Sequence, residues 1–177
     1  MDGKNFHAPC KVWGKRVQWG RKPAPRGLEE EELTMIAIAS DHGGYQLKEH
    51  LKAYLAAKGI TCLDCGTDST DSCDYPIFGK AAAQAVASGQ CERGIVICTT
   101  GIGISISANK VKGVRCALCA DTLTAQMTRL HNDANVLALG GGIVGPNLGI
   151  SIVDTFLNTA FSEEEKHCRR VGLIEQQ

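Results

Sequence analysis

The sequence of 177 residues has no excess of either charge, because Lys and Arg together number 19 and so do Asp and Glu. A protein that binds nucleic acid generally through its phosphates needs a basic excess, so that class is disfavoured. No apolar run approaches the ~18 residues that span a bilayer, and the chain lacks an N-terminal apolar segment of the secretory type. These absences predict a cytoplasmic, soluble, single-domain protein that contacts neither nucleic acid nor membranes.

The first 34 residues differ in composition from the rest of the chain. Seven basic residues precede a run of four glutamates, Glu29–Glu32, and no apolar periodicity is present. This composition favours a disordered tail, with a basic arm for nucleic acid as an alternative. A third hypothesis is that translation starts at Met35, with the purine-rich Glu codons upstream serving as a ribosome-binding sequence. We therefore place the folded domain at residues 35–177.

Nine cysteines invite a disulfide or metal interpretation, but their number is odd and no export signal accompanies them. Two C-x-x-C pairs occur, Cys62/Cys65 and Cys116/Cys119, and both fall in predicted strands. Residues three apart in a strand point to opposite faces, so one metal ion does not easily take both thiols. The sequence therefore predicts reduced, mostly buried thiols and no metal site.

From Met35 onward, short apolar segments alternate with amphipathic ones. The predicted strands are Met35–Ala39, Ile60–Leu63, Gly94–Cys98, Arg115–Ala120 and Val136–Leu139. The predicted helices are Tyr45–Lys58, 74–89, a short helix ending near Lys110, a helix capped by Asp121, Pro146–Thr159 and a final basic helix within 162–177. In the fourth helix Leu123, Met127 and Leu130 are expected to face inward, and in the fifth helix Leu148 is among the residues expected to do so. Five such units predict a three-layer α/β/α Rossmann-like sandwich around a five-stranded parallel sheet.

In this architecture ligands bind beyond the carboxyl ends of the strands, so the loops there carry the candidate chemistry. The segment 98–103 follows a predicted strand, and its two glycines let backbone N–H groups converge on a phosphate or an oxyanion. Cys98 lies beside the next helix N-terminus, which favours the thiolate. The alternative is that Cys98 is one more buried packing residue. A dinucleotide-binding turn is disfavoured because the third glycine of G-x-G-x-x-G is missing.

Two further segments contain acid–base residues. Asp41 and His42 precede two glycines at the end of the first strand, where they are either site residues or a capping Asp and a surface His. His131, Asn132 and Asp133 end the fourth helix, where a turn is the common interpretation and a general acid–base role for His131 is the alternative. A basic cluster, Lys166, His167, Arg169 and Arg170, is either a solvated face or an anion site.

Taken together, these segments resemble the type B ribose-5-phosphate isomerases, a family that includes allose-6-phosphate isomerases and galactose-6-phosphate isomerase subunits. The matching motifs are Ser40–Gly44, Asp64–Thr67, Asp74–Pro76, Cys98–Ser105, Ala108–Lys110, Arg129–Leu137 and Lys166–Arg170, in order along 35–176. The resemblance implies interconversion of an aldose phosphate and a ketose phosphate, ribose 5-phosphate and ribulose 5-phosphate first, through a cis-enediol. It also implies that no metal or organic cofactor takes part.

The resemblance assigns roles by position. Cys98 would be the base that moves the proton between C1 and C2, Thr100 would hold or shuttle the hydroxyl proton, and His131, with Asp41 nearby, would open the sugar ring. The substrate-binding residues would be His42, Tyr75, Thr99, Gly101, Ile102, Gly103, Asn132, Lys166, His167 and Arg170. The family's site lies at a homodimer interface, and the second subunit supplies part of the phosphate-binding groups.

Three positions depart from the family pattern. Thr99 stands where a glycine usually follows the catalytic cysteine, Gly142 stands where an arginine usually binds phosphate, and Lys166 replaces an arginine. Lysine is a point charge and lacks the bidentate fork of arginine. The departures leave two alternatives, a hexose-6-phosphate isomerase of the allose or galactose type and a non-catalytic sugar-phosphate-binding homologue.

Overall fold

The computed structural model describes residues 35–177, so the predictions for residues 1–34, and Cys10 with them, lie outside the described residues. Strands and helices alternate along the described chain, ending with two consecutive helices. The strands are β1 (Ile36–Ser40), β2 (Cys62–Asp64), β3 (Arg93–Cys98), β4 (Cys116–Leu118) and β5 (Val136–Gly140). The helices are α1 (Tyr45–Ala57), α2 (Tyr75–Ala87), α3 (Ile102–Ala108), α4 (Thr122–Asn132), α5 (Pro146–Asn158) and α6 (Glu165–Ile174).

The five strands form one parallel sheet in the order β2-β1-β3-β5-β4. Residues of β1 and β5 are buried along their whole length, because helices cover both faces of the sheet. Leu51 of α1 and Phe156 of α5 belong to the core on one face, while Ala82 of α2 and Ile104 of α3 belong to the core on the other. This three-layer arrangement confirms the fold class predicted from the alternating apolar segments.

The two C-x-x-C pairs straddle the sheet as their spacing predicts. Cys62 and Cys119 contact the core on the α1/α5 face, whereas Cys65 and Cys116 contact the core on the α2/α3 face. Burial raises the pKa of the Cys116 thiol to about 12 and raises the pKa of the Cys62, Cys65 and Cys119 thiols as well. These four thiols are therefore protonated near neutral pH.

The fourth and fifth helices differ from the sequence prediction in which residues they bury. Leu123 is 64% exposed and Leu148 is 42% exposed, although both were expected to face the core. In α4 the buried residues are Ala125 and Arg129. The expectation for Leu123 was wrong because α4 is rotated to bury Arg129, whose guanidinium finds hydrogen-bond partners inside the protein. Strand β4 is also shorter than predicted, since it lies at the sheet edge.

Arg129 connects the end of α4 to the neighbouring elements, and its side chain is 1% exposed. Its Nη1 donates to Asp133 Oδ1 at 2.8 Å and to the Ala134 carbonyl, and its Nε donates to the Thr159 carbonyl at 3.2 Å. Asp133 takes a left-handed φ of 45°, which ends the helix and confirms the predicted turn there. Arg129 therefore stabilises the reversal that leads into β5.

Arg129→Ala is expected to lower the free energy of unfolding by about 1–3 kcal/mol. It removes the charged donor from the buried Ala134 carbonyl and from the Thr159 carbonyl, while Asp133 keeps its second cationic partner, Arg115. Chemical denaturation monitored by circular dichroism measures this change. Arg169→Ala is the matched control, since Arg169 is exposed and its loss should change stability by no more than about 0.5 kcal/mol. Equal effects of the two substitutions would contradict the structural role of Arg129.

None of the helices within residues 35–177 is both long enough and apolar enough to cross a membrane.

Candidate active site

Three loops meet at the carboxyl edge of the sheet because β1, β3 and β5 are neighbours. The loop after β3 is fixed by two hydrogen bonds from the loop after β5. Gly141 N–H donates to the Cys98 carbonyl at 2.8 Å, and Gly142 N–H donates to the Thr99 carbonyl at 2.9 Å. The candidate residues of 98–103 therefore lie beside residues 140–142.

Cys98 ends β3, is 4% exposed and receives a hydrogen bond from the loop that follows it. The N–H of Gly101 donates to its Sγ at 3.1 Å. Gly101 has a φ of 77°, which favours glycine, and a Cβ there would lie 2.8 Å from the Leu139 carbonyl carbon. Glycine therefore allows this loop to bring an amide dipole onto the sulfur, where it stabilises negative charge.

Three other amide groups of this loop remain available to a ligand. Ile102 N–H donates to Thr100 Oγ1 at 3.3 Å, whereas the amides of Thr99, Thr100 and Gly103 donate to no group within residues 35–177. Converging amides of this kind bind phosphate oxygens or an oxyanion. Beside the buried Cys98 thiol, this arrangement suits the transfer of a proton from a carbon atom next to the carbonyl group of a ligand.

The loop after β1 packs directly against the loop after β3. A Cβ on Gly43 would lie 2.1 Å from Thr99 Oγ1, and a Cβ on Gly44 would lie 2.6 Å from the Ile97 carbonyl oxygen. The two glycines therefore permit an approach that a side chain would prevent. As a result, the exposed Thr99 side chain lies against Gly43 and close to Gly142, whose Cβ would be 3.4 Å from Thr99 Cγ2.

Asp41 is buried at 4% exposure and lies in the loop that precedes α1, whose N-cap residue is Gly44. Its Oδ1 accepts a hydrogen bond from Gly44 N–H at 3.0 Å. This bond holds the loop closed at the start of α1 and places the carboxylate at the carboxyl edge of the sheet.

The segment between β2 and α2 brings the backbone of Cys73 to the same edge, and the first residue of α2 brings the side chain of Tyr75 there. His42 Nδ1 accepts a hydrogen bond from the backbone N–H of Cys73 at 3.2 Å. The Tyr75 ring packs on Gly103, where a Cβ would lie 2.5 Å from Tyr75 Cζ. The sequence did not indicate the contribution of Cys73, because the contact is made by its backbone N–H, a group that does not depend on the residue type.

His131 lies at the opposite edge of the sheet within one chain. Helix α4 starts at the carboxyl end of β4 and runs back to the amino ends of the strands, where the Asn135 carbonyl accepts a hydrogen bond from Gly94 N–H. A strand of five residues spans about 17 Å. Within a single chain Asp41 and His131 therefore lie at opposite edges of the sheet, because helix direction in a βα unit reverses the strand direction. The prediction that they lie together stays a prediction about two subunits.

His131 instead belongs to a second group of candidate residues, which we call the amino-edge cluster: His131, Asn132, Lys166, His167 and Arg170. The rings of His131 and His167 have centroids 4.3 Å apart. His167 Nδ1 lies 2.7 Å from Ser162 Oγ, another contact that the sequence did not indicate. Burial and the neighbouring His131 lower the pKa of His167. Lys166 is exposed and forms an ion pair with Glu164 at 2.8 Å.

The structure thus separates the predicted site residues into two groups. The carboxyl edge holds Cys98, Asp41 and seven of the others, namely His42, Tyr75, Thr99, Thr100, Gly101, Ile102 and Gly103, while the amino-edge cluster holds the remaining five. Residues 35–177 contain no group of three or more His, Cys, Asp or Glu side chains arranged to hold a metal ion.

Comparison with known proteins places the chain in a family. Residues 36–174 match the family model described as Ribose/Galactose Isomerase. The chain therefore belongs to the ribose/galactose isomerase family and is an isomerase of that family.

Individual members of the family resemble the chain over most of their length. A ribose-5-phosphate isomerase B structure from Clostridium thermocellum superposes with a TM-score of 0.79 at 51% identity, covering 81% of this chain and 96% of that one. Ribose-5-phosphate isomerase B of Escherichia coli is 44% identical over 142 residues, 80% of this chain and 95% of its own length. Galactose-6-phosphate isomerase subunit LacB of Clostridium acetobutylicum is 44% identical over 133 residues, 75% of this chain and 77% of its own.

Proposed function

We propose that this isomerase interconverts an aldose phosphate and a ketose phosphate, with ribose 5-phosphate and ribulose 5-phosphate as the physiological pair. The observation that carries the proposal is the buried Cys98 thiol, hydrogen-bonded to Gly101 N–H beside three amides that are available to an anion. A base next to preorganised oxyanion donors is what enediol chemistry requires.

The reaction requires one proton transfer between adjacent carbons. The Cys98 thiolate removes the proton from C2 of the open-chain aldose, and the electron pair forms the C1–C2 double bond while the carbonyl oxygen O1 becomes negative. The free amides of Thr99, Thr100 and Gly103 stabilise this oxyanion. Thr100 Oγ1 holds the hydroxyl proton as it moves from O2 to O1, and Cys98 returns its proton to C1, which gives the ketose.

Ring opening requires His131, which lies at the far edge of the same chain, so we assign this step to a second copy. In the proposed homodimer, the amino-edge cluster of one subunit faces the carboxyl edge of the other, bringing His131 to Asp41. Exposed apolar side chains near the carboxyl edge support such a contact: Tyr75, Ile77, Ile102, Ile106, Leu118 and Ile143. Each complete site would then contain residues from two chains.

Substrate binding divides between the subunits in the same way. His42, Tyr75, Thr99, Gly101, Ile102 and Gly103 would contact the sugar from one subunit, and Asn132, Lys166, His167 and Arg170 would contact it from the other. Arg170 is exposed, and Lys166 is free to exchange its exposed partner Glu164 for a phosphate because surface ion pairs are weak.

The substrate is tested with a panel of purified sugar phosphates that contains ribose 5-phosphate, allose 6-phosphate and galactose 6-phosphate. We expect the largest kcat/KM with ribose 5-phosphate. A larger value with either hexose would replace the pentose assignment by the hexose alternative. Absence of turnover with every sugar phosphate would leave a binding protein without catalysis.

Gly142→Arg is expected to lower KM for ribose 5-phosphate about tenfold to hundredfold, because the arginine adds a charge-assisted bond to the phosphate that glycine does not make. The backbone at Gly142 tolerates a side chain, since its φ is not positive. A Cβ there would lie 3.1 Å from the Thr99 carbonyl oxygen, so the loop must shift by a few tenths of an ångström. Steady-state kinetics with each sugar of the panel gives both constants.

Gly145→Arg is the matched control, because it adds the same charge to the same loop at a position where a Cβ meets nothing within 4 Å. It should leave KM unchanged. If Gly142→Arg lowers kcat/KM for a hexose phosphate that the wild type prefers, Gly142 provides room for the larger sugar. An unchanged KM with all sugars would show that position 142 does not face the phosphate.

A further inference from the structure

The hydrogen bond between Cys73 and His42 fixes the protonation of the imidazole ring. The donor is the backbone N–H of Cys73, 3.2 Å from His42 Nδ1, and a backbone amide can only donate. Nδ1 must therefore present its lone pair. An imidazole whose Nδ1 accepts is neutral and has its proton on Nε2.

The segment that presents the Cys73 amide is itself held by a series of hydrogen bonds. The series begins at Lys48 of α1, whose side chain is 1% exposed. Its Nζ donates to Asp64 Oδ2 and to the Thr67 carbonyl, both at 2.7 Å. Thr67 N–H donates to the Ser40 carbonyl at 2.9 Å. The position of this segment relative to β1 and α1 is thus set by a buried cation.

Two short-range turns continue the series toward Cys73. Ser69 N–H donates to Thr67 Oγ1 at 3.3 Å, and Asp71 N–H donates to Ser69 Oγ at 3.2 Å. Such side-chain-to-backbone bonds two residues apart define the path of a loop. The amide of Cys73 therefore reaches His42 from a segment whose course up to Asp71, two residues earlier, is specified by hydrogen bonds.

We propose that the Cys73 amide positions His42 as a neutral hydrogen-bond donor, with Nε2–H offered to an oxygen of the substrate. This inference rests on the proposed active site and deepens it. In this state His42 neither accepts a proton from the substrate nor contributes a full positive charge, so proton transfer stays with Cys98 and His131. A charged His42 would carry a proton on Nδ1 and would break the bond to Cys73.

The tautomer is measured directly on the full-length protein by ¹⁵N NMR of the imidazole rings, at a pH about one and a half units above the ordinary histidine pKa of about 6.5. The His42 signals are assigned by their loss in His42→Asn. We expect an unprotonated Nδ1 and a protonated Nε2, and titration with ribose 5-phosphate should shift the Nε2–H signal while Nδ1 stays unprotonated. A proton on Nδ1, with or without ligand, would overturn the proposal.

Two substitutions of His42 distinguish the role of Nδ1 from the role of Nε2. Asparagine places a carbonyl oxygen near the Nδ1 position, which keeps the acceptor for Cys73 and removes the donor, whereas glutamine places an amide N–H near Nε2 and removes the acceptor. Hydrogen exchange at the Cys73 amide should therefore stay slow in His42→Asn and become fast in His42→Gln. KM should rise about tenfold in His42→Asn, as expected for one lost hydrogen bond to the substrate, with a smaller rise in His42→Gln.

His50→Asn is the control, since His50 is exposed on α1, and it should change neither KM nor exchange at Cys73. Slow exchange at Cys73 in His42→Gln would refute the positioning role. The NMR and exchange results do not depend on turnover. If no sugar phosphate is isomerised, the proposed function fails while the fixed tautomer stands on those two results.

Discussion

Replacement of Cys98 by alanine is expected to reduce kcat/KM for isomerisation about 10²–10⁴-fold, the usual cost of removing a general base. The thiol is the group that moves the proton in the proposed reaction, and no other side chain of the loop after β3 titrates. The substitution keeps Cβ in a site of 4% exposure, so the fold should persist. Steady-state kinetics with ribose 5-phosphate, together with a thermal melt, measures both effects.

Serine substitutions at the four C-x-x-C cysteines are the matched controls: Cys62, Cys65, Cys116 and Cys119. Burial raises the pKa of each of these thiols, to about 12 for Cys116, so they supply no thiolate for catalysis near neutral pH. Each control should retain kcat/KM within a factor of a few. Activity of Cys98→Ala in that same range would show that another group is the base.

A heterodimer of one Cys98→Ala chain and one His131→Ala chain is expected to recover activity that neither homodimer has. In the proposed dimer each site takes Cys98 from one chain and His131 from the other. One of the two sites in such a heterodimer then contains both groups, and the other contains neither, so about half of the wild-type activity should return. Co-expression of the two chains with different affinity tags yields the heterodimer for assay.

The reciprocal heterodimer sharpens this test, because it pairs a wild-type chain with a chain that carries both substitutions. With sites shared between chains, each site lacks one group, and activity should fall to the level of the single-substitution homodimers. With sites contained in single chains, the wild-type chain would keep about half of the activity. The two heterodimers therefore give opposite results under the two arrangements, and a monomer in solution would also contradict the shared site.

Much of the fold follows from local patterns in the sequence. The continuous apolar runs that became β1, β3 and β5 are typical of strands covered on both faces, and Pro76 and Pro146 mark the starts of α2 and α5. The place of Cys98 beside a glycine turn was also predictable, because the end of a strand, two glycines and the start of a helix follow one another within a few residues.

The exposure of Leu123 and the burial of Arg129 were not predictable in this way. Periodicity ranks residues by hydrophobicity, whereas the rotation of α4 depends on partners for the guanidinium that come from the turn after α4 and from Thr159, 30 residues away. A buried charge is tolerated only where such partners converge, and their convergence is a property of the packed chain.

The sequence by itself determined the order of strands and helices, the class of sheet and the chemical groups available in each loop, because these depend on neighbours within a few positions. Only the tertiary structure decided which groups meet. It placed Cys73 N–H on His42 across 31 residues, and it placed His131 and Cys98 of one chain at opposite edges of the sheet. The physical reason is direction: a helix that returns from the carboxyl edge of a parallel sheet delivers its last residues to the amino edge.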